Sequence, residues 1–148
     1  MYRIVVAAAC LLSCLLSLSA CFSGRSAQAQ PYYESAGVRL FKISDNRTAK
    51  DGSYVFGAMN VEGSPKSKGT TRFALSMDYG RDANANGMLE SEEILDTDRI
   101  QDGTAPFTYR IEELTLRPGK GQAIQRLRIE FDGQEPFRYE RRELSAKP

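Results

Sequence analysis

Neither histidine nor tryptophan occurs anywhere in the 148-residue sequence, and its three cysteines, Cys10, Cys14 and Cys21, all fall by residue 21. Without histidine there can be no Ser-His or Cys-His nucleophile pair, no histidine general base and no histidine-ligated zinc. Beyond Cys21 no disulfide can staple the chain, so stability must come from a packed core, with a bound metal as the one other staple on offer. An excess of charge of either sign is missing too: Lys plus Arg number 20 and Asp plus Glu 19. With Arg3 set aside as part of a leader, the remainder balances at 20 − 1 = 19 against 19, which gives no long-range pull toward nucleic acid or an anionic membrane. No long helical pattern and no internal repeat is present. At 41% hydrophobic and 26% charged residues, the composition and length fit one soluble-type domain.

What is present first is a leader. One cation, Arg3, precedes an apolar run from Ile4 to Leu18, the layout of a secretory signal peptide and too short for a membrane span. The run ends in Leu18-Ser19-Ala20-Cys21, which resembles the lipobox of bacterial lipoproteins. The resemblance implies a signal peptide over residues 1–20, lipidation of Cys21, and a place in the cell envelope, on the outer membrane facing the periplasm or at the cell surface. Two other cleavage readings stay open. Ala27-Gln28-Ala29 fits ordinary signal peptidase and would release a soluble periplasmic protein starting at Gln30, and Leu11-Leu12-Ser13-Cys14 would leave a very short apolar core. Residues 21–35, rich in Ser, Gly, Ala and Gln, read as a flexible tether that carries Tyr32 and Tyr33 near its end.

Residues 36–148 then read as one β-domain. Phe73, Leu75, Met77 and Tyr79 alternate with polar residues, as do Phe107, Tyr109 and Ile111, and Leu127, Ile129 and Phe131; period 2 marks half-buried strands. Weaker candidates are Val38 to Ser44, Tyr54 to Val61, Ile94 to Ile100 and Phe137 to Leu144. Turn chemistry separates them at Asp51-Gly52, Gly63-Ser64-Pro65, Asp102-Gly103, Pro118-Gly119 and Asp132-Gly133. About seven short strands joined this way predict an all-β, immunoglobulin-like antiparallel sandwich, with a small barrel as the alternative.

One stretch has a spacing that chemistry demands. Asp82, Asn84 and Asn86 stand two apart, Gly87 follows, and Met88, Glu90 and Glu93 complete a twelve-residue frame with apolar Leu89 and Ile94. The pattern resembles the calcium loop of the EF-hand family. There, positions 1, 3 and 5 supply side-chain oxygens, position 6 turns, position 7 gives a carbonyl, position 9 acts often through water and position 12 is a bidentate carboxylate. The resemblance implies Asp82, Asn84, Asn86, Met88, Glu90 and Glu93 as ligands of a structural Ca2+. With two neutral Asn where acids are common, affinity should sit nearer the micromolar-to-millimolar classes. A family loop has a helix before it, whereas Thr71 to Tyr79 alternates as a strand and Gly80 would break a helix. A strand, the loop and one helical turn capped by Ser91 are therefore expected, without the opening helix pair of a sensor. The competing reading is a plain polar hairpin loop, since Asp, Asn and Gly are what turns prefer.

Elsewhere the residues point to bland roles. Arg126, Arg128, Arg138, Arg141 and Arg142 interleave with Glu130, Glu140 and Glu143, which reads as cross-strand ion pairs on a wet face. Gly119-Lys120-Gly121 lacks the rest of a phosphate loop, Ser64 to Lys68 lacks Ser-x-x-Lys spacing, and Asn46-Arg47-Thr48 is a glycosylation sequon. The function expected is a non-enzymatic binding or assembly module, held on the membrane through Cys21, with an envelope protein or polysaccharide as partner and no nucleic acid. Two alternatives are a calcium-dependent hydrolase using Asp96, Asp98 or Glu90, and a soluble periplasmic ligand-binding or inhibitor protein.

Overall fold

Alternation along the chain becomes the facing surfaces of two sheets. The structure, a computed structural model, describes residues 30–66 and 70–144. The leader, the lipobox with Cys21, both rival cleavage sites and most of the expected tether lie outside the described residues. Among the described residues no helix is long and apolar enough to cross a membrane.

Eleven strands follow one another: β1 (Tyr33–Ser35), β2 (Val38–Lys42), β3 (Arg47–Thr48), β4 (Tyr54–Phe56), β5 (Met59–Gly63), β6 (Thr71–Asp82), β7 (Ile94–Ala105), β8 (Phe107–Ile111), β9 (Leu114–Leu116), β10 (Gln122–Phe131) and β11 (Phe137–Arg142). They form antiparallel sheets of order β1-β2-β5-β8, β11-β10-β6-β7 and β3-β4-β9. The third sheet repeats the order of the first, because β3, β4 and β9 are the chain continuations of β2, β5 and β8. Seven long runs plus the short β1 thus make a sandwich. Runs one, two and five form one layer, and runs three, four, six and seven form the other. That is the immunoglobulin-like arrangement, with the fourth run placed beside the third as the added strand of variable-type domains is. All three sheets stay open, so the barrel alternative is not adopted.

Between the layers lie Val38, Leu40, Met59 and Val61 from one side and Phe73, Leu75, Leu127 and Ile129 from the other, all buried. Phe73 and Phe107 stack across the interface with ring centroids 3.8 Å apart and planes 15° apart. A second cluster of Tyr54, Phe56, Leu116 and Ala123 lies under the β3-β4-β9 continuation.

Several local expectations are corrected. Tyr54 to Val61 is not one strand: the layer bends at Gly57-Ala58, where a Cβ on Gly57 would stand 2.1 Å from the Ser44 carbonyl oxygen. Asn46 Oδ1 accepts the Gly57 N–H at 2.9 Å, and Ser44 Oγ accepts the Ala58 N–H at 2.9 Å. Asp102-Gly103 is no turn but lies inside β7, whose register slips opposite Leu75/Ser76 and Tyr79/Gly80; the chain turns instead at the cis Ala105–Pro106 bond. The end of the expected tether is a strand. β1 pairs with β2, and Tyr33 packs on Tyr139 (4.8 Å) and Phe137 (6.1 Å) of β11. The five arginines are not a uniform set of cross-strand pairs either. Arg126 does reach across to Asp78 (3.2 Å), but Arg128 and Arg142 pair along their own strands with Glu130 and Glu140. Arg141 points inward and is buried.

Candidate metal centre

β6 and β7 are each twelve residues long and pair from Thr71↔Ala105 to Gly80↔Ile94. The loop therefore sits at the tip of a long hairpin, and Asp82 is both the last residue of β6 and the first of the loop. Two glycines shape the base of this hairpin. A Cβ on Gly80 would stand 2.0 Å from the Glu93 carbonyl oxygen and 2.9 Å from Leu89 Cδ1, so only glycine leaves room for the returning chain. On the other side the chain entering β10 presses in: a Cβ on Gly121, the residue before that strand, would stand 2.1 Å from the Asp82 carbonyl oxygen. Gly80 pairs in register with Ile124, so Leu89 lies against the outward face of the sheet, where it is 3% exposed.

Inside the loop the side-chain oxygens are organised by backbone N–H groups. Asp82, 3% exposed, accepts from Asn86 N at Oδ1 (3.1 Å) and from Gly87 N at Oδ2 (2.7 Å). Asn84 Oδ1 accepts from Asn86 N (2.9 Å), and Asn86 Oδ1 from Met88 N (2.8 Å). Gly87 takes φ +81°, the left-handed turn that its place requires. Glu93 folds back across the entrance: Oε1 accepts from Ala83 N (2.8 Å) and Asn84 N (3.2 Å), and Oε2 from Glu90 N (3.1 Å). Glu90 receives the amide groups of Asn84 (3.0 Å) and Asn86 (2.9 Å). The Met88 side chain is exposed, which leaves its carbonyl as the donor that residue could offer. Ser91 does not cap the following turn. Glu90 stands at the cap of the 3-10 turn Ser91–Glu93, where its N–H donates to the Glu93 carboxylate and its carbonyl accepts from Glu93 N at 3.0 Å.

Six expected ligand positions are thus brought to one loop, and all offer oxygen. Two carboxylates from Asp82 and Glu93, two amide oxygens and one carbonyl match the hard, mixed-oxygen set that calcium accepts. Among the described residues no three His, Cys, Asp or Glu side chains gather as a metal cluster, the loop's own Asp82, Glu90 and Glu93 included; the set has to be completed by the two asparagine oxygens and a backbone carbonyl.

Other acids stand apart from the loop. Asp78 is held by Arg126, and Asp96 accepts from Tyr79 Oη at 3.2 Å. Asp98 lines a shallow trough with Met77, Ile100, Tyr109 and Ile111, away from Glu90. Arg126 is the participant that the sequence hides. Its Nη1 donates to the Leu89 carbonyl at 2.9 Å while its Nη2 holds Asp78, so β10 ties the loop down on the sheet. Thirty-seven residues separate Arg126 from Leu89, and only the register places them together.

No protein-family model, curated protein or solved structure matches this chain.

Proposed function

We propose that the chain is a membrane-anchored lipoprotein of the cell envelope whose β-domain holds one structural calcium ion and serves as a non-enzymatic binding or assembly module. The observation that carries the calcium reading is the Asp82 carboxylate: a nearly fully buried acid with no cation partner among the described residues, held only by N–H groups at the centre of an oxygen-lined loop. Burying an uncompensated carboxylate is costly, and a divalent cation shared with Glu93 would offset that cost. The ligands would be Asp82, Asn84, Asn86, the Met88 carbonyl and Glu93, with Glu90 reaching the ion through water. Bound there, the ion would lock the hairpin tip and add stability; no opening of a helix pair is available to it. Anchoring rests on the resemblance of Leu18 to Cys21 to a lipobox.

Calcium titration of the purified chain by calorimetry, paired with melting in calcium and in chelator, tests the metal. The expected result is a saturable heat and a higher melting temperature in calcium, both lost in Glu93→Gln. Silence in both measurements would sink the reading. Mass spectrometry of the mature N-terminus tests the anchor, which an unmodified start at Gln30 would exclude.

A further inference from the structure

The outward face of the β11-β10-β6-β7 sheet carries an unbalanced row of charge. Partners in register share a face, and one row across the four strands reads Arg138, Arg128, Ser76, Arg99. The next row, two residues along, reads Glu140, Arg126, Asp78, Thr97, where acid and base alternate and Arg126 pairs with Asp78 at 3.2 Å. The first row has three cations and no acid. Two of its arginines take anions from the row on the other side, Glu130, Ala74 and Asp102: Arg128 pairs with Glu130 at 2.5 Å and Arg99 with Asp102 at 2.9 Å. On the side where Arg138 would look for the same help, the residue before β11 is Pro136. Among the described residues, Arg138 has no ion-pair or hydrogen-bond partner and is exposed.

Like charges set directly opposite one another on neighbouring strands destabilise a sheet. The Arg128–Arg138 pair is therefore unfavourable, and Glu130 offsets only the Arg128 half of it. An anion lying across the row would offset the Arg138 charge and compete with Glu130 and Asp102 for Arg128 and Arg99. With strands about 4.8 Å apart, the row spans about 14 Å, and it borders an open trough of about 450 Å³ lined by Asp78, Arg126, Arg128, Arg138 and Glu140, with Leu127 and Tyr139 between them.

We propose that this face binds an anionic polysaccharide, with the Arg138, Arg128 and Arg99 guanidinium groups taking carboxylate or sulfate groups along one chain. A protein partner would need apolar anchors at the contact. The exposed large apolar side chains are Tyr32, Tyr33, Ile43, Met88, Leu95 and Leu144, none of which stands in this row. Single-stranded nucleic acid would need free aromatic platforms for its bases; the row has none, and Tyr139 beside the trough is already packed against Tyr32 and Tyr33. This surface would serve the binding-module reading above and needs no calcium, so the two can fail separately.

The test uses the full chain in chelator, titrated with chondroitin sulfate, neutral dextran and single-stranded DNA. Chondroitin sulfate should bind and dextran should not. Arg138→Gln and Arg128→Gln should each weaken binding about tenfold, the loss of one charge-assisted contact, while Arg110→Gln on the other layer's outward face leaves it unchanged. Arg138→Gln should also melt no lower than the parent, because it relieves a like-charge pair. The proposal is overturned if chondroitin sulfate fails to bind, if the Arg138 and Arg128 variants bind it as the parent does, or if DNA binds as tightly.

Discussion

Arg141 Nη1 donates to the carbonyl oxygen of Gly57 at 2.7 Å, so the last strand of one layer fastens the bend of the other. The same guanidinium donates from Nε to Gln125 Oε1 at 2.8 Å and lies 5.5 Å from the Phe56 ring. Gln125 in turn donates to Met77 Sδ. Burial pulls the Arg141 pKa down, and the nearby Tyr32, Tyr139 and Tyr54 partly oppose that shift. With so little exposure, this cation acts as a bracket for polar groups that the bend would otherwise strand.

Replacing Arg141 with methionine should therefore cost about 3 kcal/mol, since the Gly57 carbonyl and the Gln125 oxygen lose their donors in a buried place. Arg141→Lys keeps the charge but not the fork, and should recover only part of this. Urea unfolding of the three proteins measures it, and a loss under about 1 kcal/mol for Arg141→Met would show that water can replace the bracket.

Glu113 gives a pH prediction at the neighbouring break in the same layer. Hydrogen bonds from Arg47, at 2.8 Å to each oxygen, and then from Ser44 at 2.8 Å hold its carboxyl down at about 2, against an ordinary 4.5. A carboxylate with a lowered folded pKa contributes stability above its unfolded value and loses it as pH falls toward the folded one. The melting temperature of the parent should thus exceed that of Glu113→Gln at pH 6, and the gap should close between about pH 4.5 and pH 2. A gap that is constant over this window would mean that Arg47 does not act through the charge of Glu113.

How much of this was legible follows from the distance over which each cause acts. Phe73, Leu75, Met77 and Tyr79 could be read as a strand because a half-buried sheet writes period 2 directly into its own residues. The spacing from Asp82 to Glu93 was legible for the same reason: an ion-sized loop must take its oxygens from one short stretch. The bend at Gly57 was not, because its cause is the Ser44 carbonyl on a neighbouring strand. Asp102-Gly103 misled for a related reason. Turn-forming residues also suit an edge strand with register slips, and the cross-strand partner Phe73 decides between the two. Arg141 looked like one more surface charge in an alternating stretch, and only the partner Gln125 shows that its side of the strand is the inner one.

Charge in the loop sets the third prediction. Asn84→Asp adds a carboxylate where Asn84 Oδ1 already faces into the turn, and ligand charge is one of the terms that tune calcium affinity in such loops. Calorimetry should show tighter calcium binding than in the parent, whereas in chelator the variant should melt lower, since Asp82 and Glu90 then face a further anion. At a hundredfold excess of calcium over its Kd the ion contributes about 2.7 kcal/mol to either protein, so the comparison is made at equal saturation. Equal affinities would show that Asn84 is no ligand.

Gly80 offers a test that changes no ligand residue. Its missing side chain lets the Glu93 carbonyl pass at a distance where a Cβ would be 2.0 Å away, and lets Leu89 seat against the sheet. Gly80→Ala must push the returning chain outward, and overpacking of this kind costs about 1–3 kcal/mol. Glu93 would move with its own backbone, away from Ala83 N and Asn84 N, which hold its carboxylate across the loop. Calcium affinity should therefore fall at least tenfold in Gly80→Ala, a factor worth about 1.4 kcal/mol. The strands away from the tip should keep their amide-exchange protection. A variant that unfolds throughout would mark Gly80 as a residue of the core, and one that binds calcium as the parent does would show that the loop closes without this contact.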